Sequence, residues 1–227
     1  MIHYLMIAVL LGSLALIVYA AEDNEQGIAT SEMVTMEKEP QYYPVVNCHL
    51  HMGPREEDFA LQTKVMDETG MAVSIDLSGG TGEDLRKKLE LAKRYPGRYL
   101  VFCGFPFSEK DKDDPDIGKK LAASLEESIK AGAAGCGEMG ASVVRGYHTW
   151  DDPRLEPFWQ KAVELRVPLN WHTAQPARYW RPESPDNRIE SGSLYHKAPK
   201  GQHAMLRERD RVLEKHPDLI VIAAHSS

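Results

Sequence analysis

The stretch Val45-Val46-Asn47-Cys48-His49-Leu50-His51-Met52-Gly53 decides how the rest of the chain is read. Two β-branched residues lead into a His-x-His and then a Gly-Pro turn. In an extended strand successive side chains alternate faces, so His49 and His51 point to one side while Cys48 and Leu50 point to the other. Two imidazoles side by side at the C-terminal end of a strand can grip one divalent metal ion. The pair alone decides little. With nine histidines in 227 residues, chance placement gives roughly 0.35 such pairs per chain, and two solvent-facing strand histidines explain it as well.

Length and composition narrow the field. A chain of 227 residues can bury one sizeable core. Its 27 Lys+Arg against 34 Asp+Glu, with no long basic run, give nucleic acid no electrostatic footprint. Cys48, Cys103 and Cys136 are widely spaced and odd in number, so they do not form a disulfide framework; each sits near a strand end and reads as a small buried thiol.

The N-terminus is set apart. Leu5 to Tyr19 is an uncharged apolar run, short for a membrane span, and it ends in the small-x-small pattern Val18-Tyr19-Ala20 before Glu22-Asp23-Asn24-Glu25. Residues 1–20 are therefore expected to be a signal peptide or an N-terminal anchor, which exports the rest to the periplasm or the extracellular space. A membrane enters only through that segment if it is uncleaved. Residues 21–40 read as an acidic linker, and 41–227 as the folded domain.

Within 41–227 strands and helices alternate. Helical spacing runs over Arg55–Glu68, Glu83–Arg94, Asp116–Lys130, Pro153–Arg166 and Met205–Lys215. Glu83–Arg94 carries Leu85, Leu89 and Ala92 on one face. Short apolar runs ending at His51, Leu77, Phe105, Gly140, His172 and Ala224 read as parallel strands. Gln175 to Gln202 breaks the rhythm with prolines, aromatics and basic residues, and reads as a lid or binding loop. The class is α/β. A doubly wound sheet and a (β/α)8 barrel both fit this alternation, but His49, His51, Glu138, His172 and His225 all fall at C-terminal strand ends, where TIM-type barrels build their sites. Such a barrel takes about eight strands and ~250 residues. About six βα units are visible, which predicts an incomplete barrel with exposed edges at its first and last strands.

The histidines can each be explained singly. His148, His196, His203 and His216 read as surface or helix-end residues. The weight lies in coincidence: separate strand ends carry His49 with His51, His172 and His225, and a fourth carries Glu138, so the set reads as one divalent metal site.

These residues resemble the amidohydrolase superfamily, most closely the amidohydrolase-related branch that includes aminocarboxymuconate-semialdehyde decarboxylase. The likeness rests on Val46–Gly53, on Pro168-Leu169-Asn170-Trp171-His172-Thr173, on the helix Leu206–Pro217 and on Leu219–His225. It implies that His49, His51 and His172 are metal ligands and that His225 is a general base or a second-metal ligand. Glu138 stands where relatives carry a bridging lysine or glutamate, or no ligand, and is taken as a second catalytic residue. Glu138-Met139-Gly140 is also similar to the Glu-Ile-Gly of TatD-type nucleases. The metal implied is zinc, with manganese or iron as alternatives.

The expected chemistry is hydrolytic. Neutral imidazoles leave zinc strongly Lewis acidic, and water made acidic by it attacks the carbonyl of a C–N or ester bond in a small substrate. Arg178, Arg181 and Trp180, with Tyr179, follow His172 on the long loop and are expected to clamp a substrate carboxylate; a solvated surface loop fits them equally. Two departures from the family stand out: Asn47 replaces its usual aspartate, and no eighth strand supplies its last aspartate ligand. The latter makes a truncated copy with little activity the expectation. Competing readings are a non-oxidative decarboxylase or TatD-like phosphodiesterase on the same scaffold, or an inactive binding protein. A homo-oligomer stays open.

Overall fold

Six parallel strands lie side by side in chain order, β1-β2-β3-β4-β5-β6. The computed structural model describes residues 44–173 and 201–226. The expected leader and linker, His196, and the loop residues Arg178, Tyr179, Trp180 and Arg181 lie outside the described residues. The elements are β1 (Val45–Leu50), α1 (Glu56–Thr69), β2 (Met71–Asp76), α2 (Gly82–Ala92), β3 (Tyr99–Cys103), α3 (Ile117–Ala131), β4 (Gly135–Met139), the short α4 (Ala141–Val144), α5 (Glu156–Glu164), β5 (Pro168–Trp171), α6 (Gln202–Lys215) and β6 (Ile220–Ala223). Among the described residues no helix is long and apolar enough to cross a membrane.

The sheet is rolled. Laid flat, β1 and β6 would stand roughly 24 Å apart, five spacings of about 4.8 Å. Yet the rings of His49, at the end of β1, and His225, just past β6, have centroids 5.0 Å apart. Six strands therefore follow the arc of a (β/α)8 barrel, the incomplete barrel that the alternation predicts. Among the described strands β1 and β6 are its edges, and Val45 and Val46 on β1 are exposed.

Two layers of apolar side chains hold the arc. On its convex side the helices pack a large core that includes Leu85, Ile117, Leu121, Leu125, Phe158, Leu169 and Trp171. The spacing Ile117-Leu121-Leu125 explains why α3 forms and which face it buries. Trp159 stacks on Trp171 at 4.9 Å, and Trp150 meets Trp171 edge-on at 4.9 Å; such pairs add about 0.5–1.5 kcal/mol beyond burial. On the concave side Ile75, Leu77 and Phe102 fill the interior with Leu100, Ala134 and Ile222. Gly135 is needed there, because a Cβ on it would sit 2.4 Å from the Phe102 ring.

Three expectations are corrected. His148 is not at the surface: it is buried against Phe107, with its ring nitrogens 2.8 Å from Ser142 Oγ and 2.8 Å from the Thr149 carbonyl. Cys48 is exposed, whereas Cys103 and Cys136 are buried as expected. The helix expected over Pro153–Arg166 is a 3-10 turn, Pro153–Leu155, followed by α5. The turn forms because the Asp152 carboxylate accepts the Arg154 N–H at its start.

Candidate metal centre

His49 and His51 emerge on the same side of β1, as alternation requires. Their Nε2 atoms lie 3.2 Å apart. The Asn47 amide oxygen accepts the backbone N–H of His49 at 3.1 Å, so this residue supports the site from two positions upstream. His51 is held at its other ring nitrogen, where Nδ1 lies 3.1 Å from Ser78 Oγ in the turn after β2. With Nδ1–H donated to that oxygen, Nε2 keeps its lone pair free for a metal.

Glu138 reaches the same space through an irregularity in β4. Cys136 pairs with Leu169 and Met139 with Trp171, so β4 carries one more residue than β5 between those pairs. All four side chains belong to the convex core. Simple alternation would point Glu138 the same way as Cys136; the extra residue turns it into the concave side instead. Gly137 permits this. Its φ is +141°, and a Cβ there would approach the Asn170 carbonyl to 2.5 Å. Gly140 serves a similar end, since a Cβ would lie 2.5 Å from the His172 carbonyl where β4 and β5 converge.

The carboxylate sits between two pairs of imidazoles. Glu138 Oε2 lies 3.1 Å from His51 Nε2 and 3.6 Å from His49 Nε2. Glu138 Oε1 lies 2.8 Å from His172 Nδ1 and 3.0 Å from His225 Nε2. Trp171, buried among Trp150 and Trp159, anchors the strand that delivers His172. His225 has a left-handed backbone, φ +57°, which turns it out of the strand direction; its ring meets that of His172 at 4.4 Å. The structure thus gathers all five residues expected at the strand ends. It puts His172 and His225 on one carboxylate oxygen and the His49–His51 pair on the other.

The electrostatics follow from this enclosure. Burial pushes the Glu138 carboxyl up, but the hydrogen bond and charge of His172, with the charges of His49 and His225, outweigh it and hold the pKa at about 2. Burial pulls His49 below 6.5; the Glu138 charge opposes this, while His225, His51 and His172 reinforce it.

The donor set fits a divalent ion. Around an ion with bonds of about 2.0–2.1 Å, tetrahedral ligand atoms stand about 3.3 Å from one another. The His49, His51 and Glu138 Oε2 atoms form a triangle of 3.2, 3.1 and 3.6 Å sides. His49, Glu138 and His225 likewise offer atoms within 4.8 Å of one another. Neutral imidazole with one carboxylate suits zinc, manganese or iron.

Sequence reasoning missed the polar framework below His51. Asp76, at the end of β2, and Lys88, on α2, form an ion pair of 2.8 Å and are both fully buried. The signal was present: Lys88 interrupts the apolar stripe Leu85-Leu89-Ala92 on the buried face of its helix.

Comparison with known proteins agrees with this fold. No curated protein sequence matches the chain. Two solved structures share the fold: an uncharacterised TIM-barrel protein from Bordetella bronchiseptica (15% identity, 80% of this chain and 66% of the other, TM-score 0.53) and a candidate amidohydrolase from Staphylococcus aureus (14% identity, 80% and 67%, TM-score 0.52). A dihydroxybenzoic acid decarboxylase from Polaromonas sp. JS666, solved with bound manganese and 2-nitroresorcinol, aligns more loosely (18% identity, 80% and 65%, TM-score 0.48). The chain covers about two thirds of the length of these structures. The family model for amidohydrolases matches residues 112–227, which include Glu138, His172 and His225. With that match over half of its length, the chain belongs to the amidohydrolase family.

Proposed function

We propose that this protein is a metal-dependent hydrolase that cleaves a C–N or ester bond in a small carbonyl compound. The observation that carries the reading is the Glu138 carboxylate, shared between the His49–His51 pair on one oxygen and the His172–His225 pair on the other. His49, His51 and Glu138 Oε2 would hold one divalent ion, zinc or in its place manganese or iron. His172 and Glu138 Oε1 offer further donors, joined by His225 only where a second ion is held; otherwise His225 stays free to act as a base. A metal so held supplies Lewis acidity, polarising the substrate carbonyl and making water a nucleophile near neutral pH.

The protein's own groups orient and handle protons. Glu138, ionised down to pH about 2, keeps a fixed negative charge where cations and imidazolium protons gather. His225, partly exposed and 3.0 Å from Glu138 Oε1, takes a proton from water and returns it to the leaving nitrogen or oxygen. His51 is half exposed, so substrate enters from the β1 side, while His172 lies against the packed wall. On the loop outside the described residues, Arg178 and Arg181 with Trp180 would receive a substrate carboxylate.

The test is made on the purified full chain, stripped of metal and reloaded with zinc or manganese. The expected result is uptake of at least one ion per chain and metal-dependent hydrolysis of some member of a panel of small amides, esters and lactones. Release of CO2 from hydroxybenzoates, or cleavage of a phosphodiester, with no hydrolysis in that panel would replace the reaction class. Metal uptake well below one ion per chain would overturn the site itself.

A further inference from the structure

The polar framework beneath His51 has a purpose of its own. Lys88 is 2% exposed and Asp76 is 0% exposed. A lysine is among the residues least often buried, because an ammonium withdrawn from water needs hydrogen-bond acceptors and a counter-charge. Here Lys88 Nζ donates to the Met52 carbonyl at 2.6 Å and to the Ser78 carbonyl at 2.9 Å, and its charge is paired with Asp76 Oδ2 at 2.8 Å. The other carboxylate oxygen, Asp76 Oδ1, accepts the N–H of Met52 at 3.3 Å and the N–H of Ser78 at 3.0 Å.

One ion pair therefore binds both backbone groups of Met52 and both backbone groups of Ser78. Those residues lie beyond the ends of β1 and β2, where the ladder has run out; its last rung is the Leu77 N–H on the Leu50 carbonyl at 2.8 Å. Met52 follows His51 directly, and Ser78 Oγ is the atom that meets His51 Nδ1. Backbone and ring of His51 are thus governed from the same point. A purely stabilising pair has no reason to converge on the two residues that frame one imidazole. A hydrophobic pair of similar size would commonly be as stable or more so.

We infer that Asp76 and Lys88 are positioning residues for His51: they clamp the turns after β1 and β2 so that Ser78 fixes the ring and its tautomer towards the ligand position. The inference rests on the proposed metal centre, and deepens it. Neither residue touches the centre. Their effect passes through Met52 and Ser78, as outer partners of metal-binding histidines act in general.

The experiment compares the wild-type full chain with D76N/K88M and S78A. It measures zinc affinity by calorimetry, thermal midpoint, and amide hydrogen exchange at Met52 and Ser78. D76N/K88M removes both buried charges together, so neither is left unpaired, and it keeps an acceptor at position 76. The expected result is a fold retained, zinc affinity lowered about 10- to 100-fold, and faster exchange at Met52 and Ser78 with Phe59 and Met66 unchanged. S78A should lower zinc affinity by at least about tenfold with no change in thermal midpoint.

A folded D76N/K88M that binds zinc as tightly as wild type, or protects Met52 and Ser78 as well, overturns the inference. If D76N/K88M does not fold, S78A decides: unchanged zinc affinity means nothing passes to His51. If the wild type itself takes up no zinc, the metal centre fails. The clamp then stands or falls on the exchange at Met52 and Ser78, compared between wild type and S78A as well as the double variant.

Discussion

The two flanks of the candidate metal centre are held in different ways. On the β4–β5 flank, His172 is delivered by a strand whose preceding residue, Trp171, is buried between Trp159 and Trp150. Rigidity there comes from dense packing, and the ring is largely shielded. On the β1–β2 flank the strand is a sheet edge, Val45 and Val46 are exposed, and His51 is half exposed. Behind it Met52, Phe59, Met66 and Tyr99 form a smaller apolar cluster, but at the mouth the two histidines are fixed by directional polar contacts: the Asp76–Lys88 pair, Ser78 and Asn47. Where a site faces water on one side, its order there has to come from groups that tolerate water nearby. The packed flank carries the carboxylate, and the open flank carries the more exposed imidazole, His51.

Breaking the packed flank should have the largest effect. Trp171→Ala deletes the shared member of two ring pairs in the core and leaves a cavity, at a cost of about 3–5 kcal/mol in folding stability. Urea denaturation of the metal-free protein measures it. A change below 1 kcal/mol would mean that the flank does not rest on this ring.

Removing the charge between the flanks comes next. Glu138→Ala leaves the imidazoles of His49, His51, His172 and His225 facing one another with no anion among them. Zinc affinity should drop by at least about 100-fold, or about 2.7 kcal/mol, which exceeds what the loss of an outer partner does. Calorimetric titration of zinc reads this directly, and retained tight binding would show that Glu138 is not a ligand.

The same comparison explains what could be read from the chain. Short apolar runs located all six strands, and a period of 3.6 located the longer helices between them, because a sheet buried on both faces and helices packed on one face impose those patterns; the four-residue α4 is too short to show a period. Histidines at strand ends were legible by position, and the structure brings them together around Glu138. Glu138 was legible by position but its aim was not: alternation from Cys136 would turn it outward, and only the extra residue against β5 sends it in. The buried Lys88 lay in plain view on an apolar stripe, yet its partners Asp76, Met52 and Ser78 come from other elements and meet only when β1, β2 and α2 pack together. His148 failed similarly, since its hydrogen bonds to Ser142 and the Thr149 carbonyl satisfy a ring that composition would leave at the surface.

Acid should loosen the charged centre in two steps when no metal is bound. His49 has a folded pKa below 6.5, so the folded state resists its protonation and stability declines as pH falls through that value. Glu138 has its pKa lowered from 4.5 to about 2, so its contribution is full above 4.5 and is lost as pH falls from there through about 2. Urea midpoints measured in EDTA from pH 7 to 2 should show both declines. Glu138→Gln should remove the lower one; a wild-type midpoint that stays level between pH 4.5 and 2 would show that the carboxylate is not held by the imidazoles.

The open flank gives the smallest and most local test. Asn47 Oδ1 accepts the His49 N–H at 3.1 Å, a neutral hydrogen bond in a partly exposed strand. Asn47→Ala should therefore cost only about 0.5–1.5 kcal/mol in stability. Asn47→Asp keeps the acceptor and gives it charge, which strengthens the bond and adds a negative charge near the imidazoles. Its zinc affinity should rise a few-fold, while Asn47→Ala should lower it by a similar factor. The two changes have opposite signs on binding only if position 47 acts through His49. If both weaken zinc alike, the residue matters to the strand and not to the ligand it precedes, and polar order at the mouth of the open flank would rest on the clamp beneath His51.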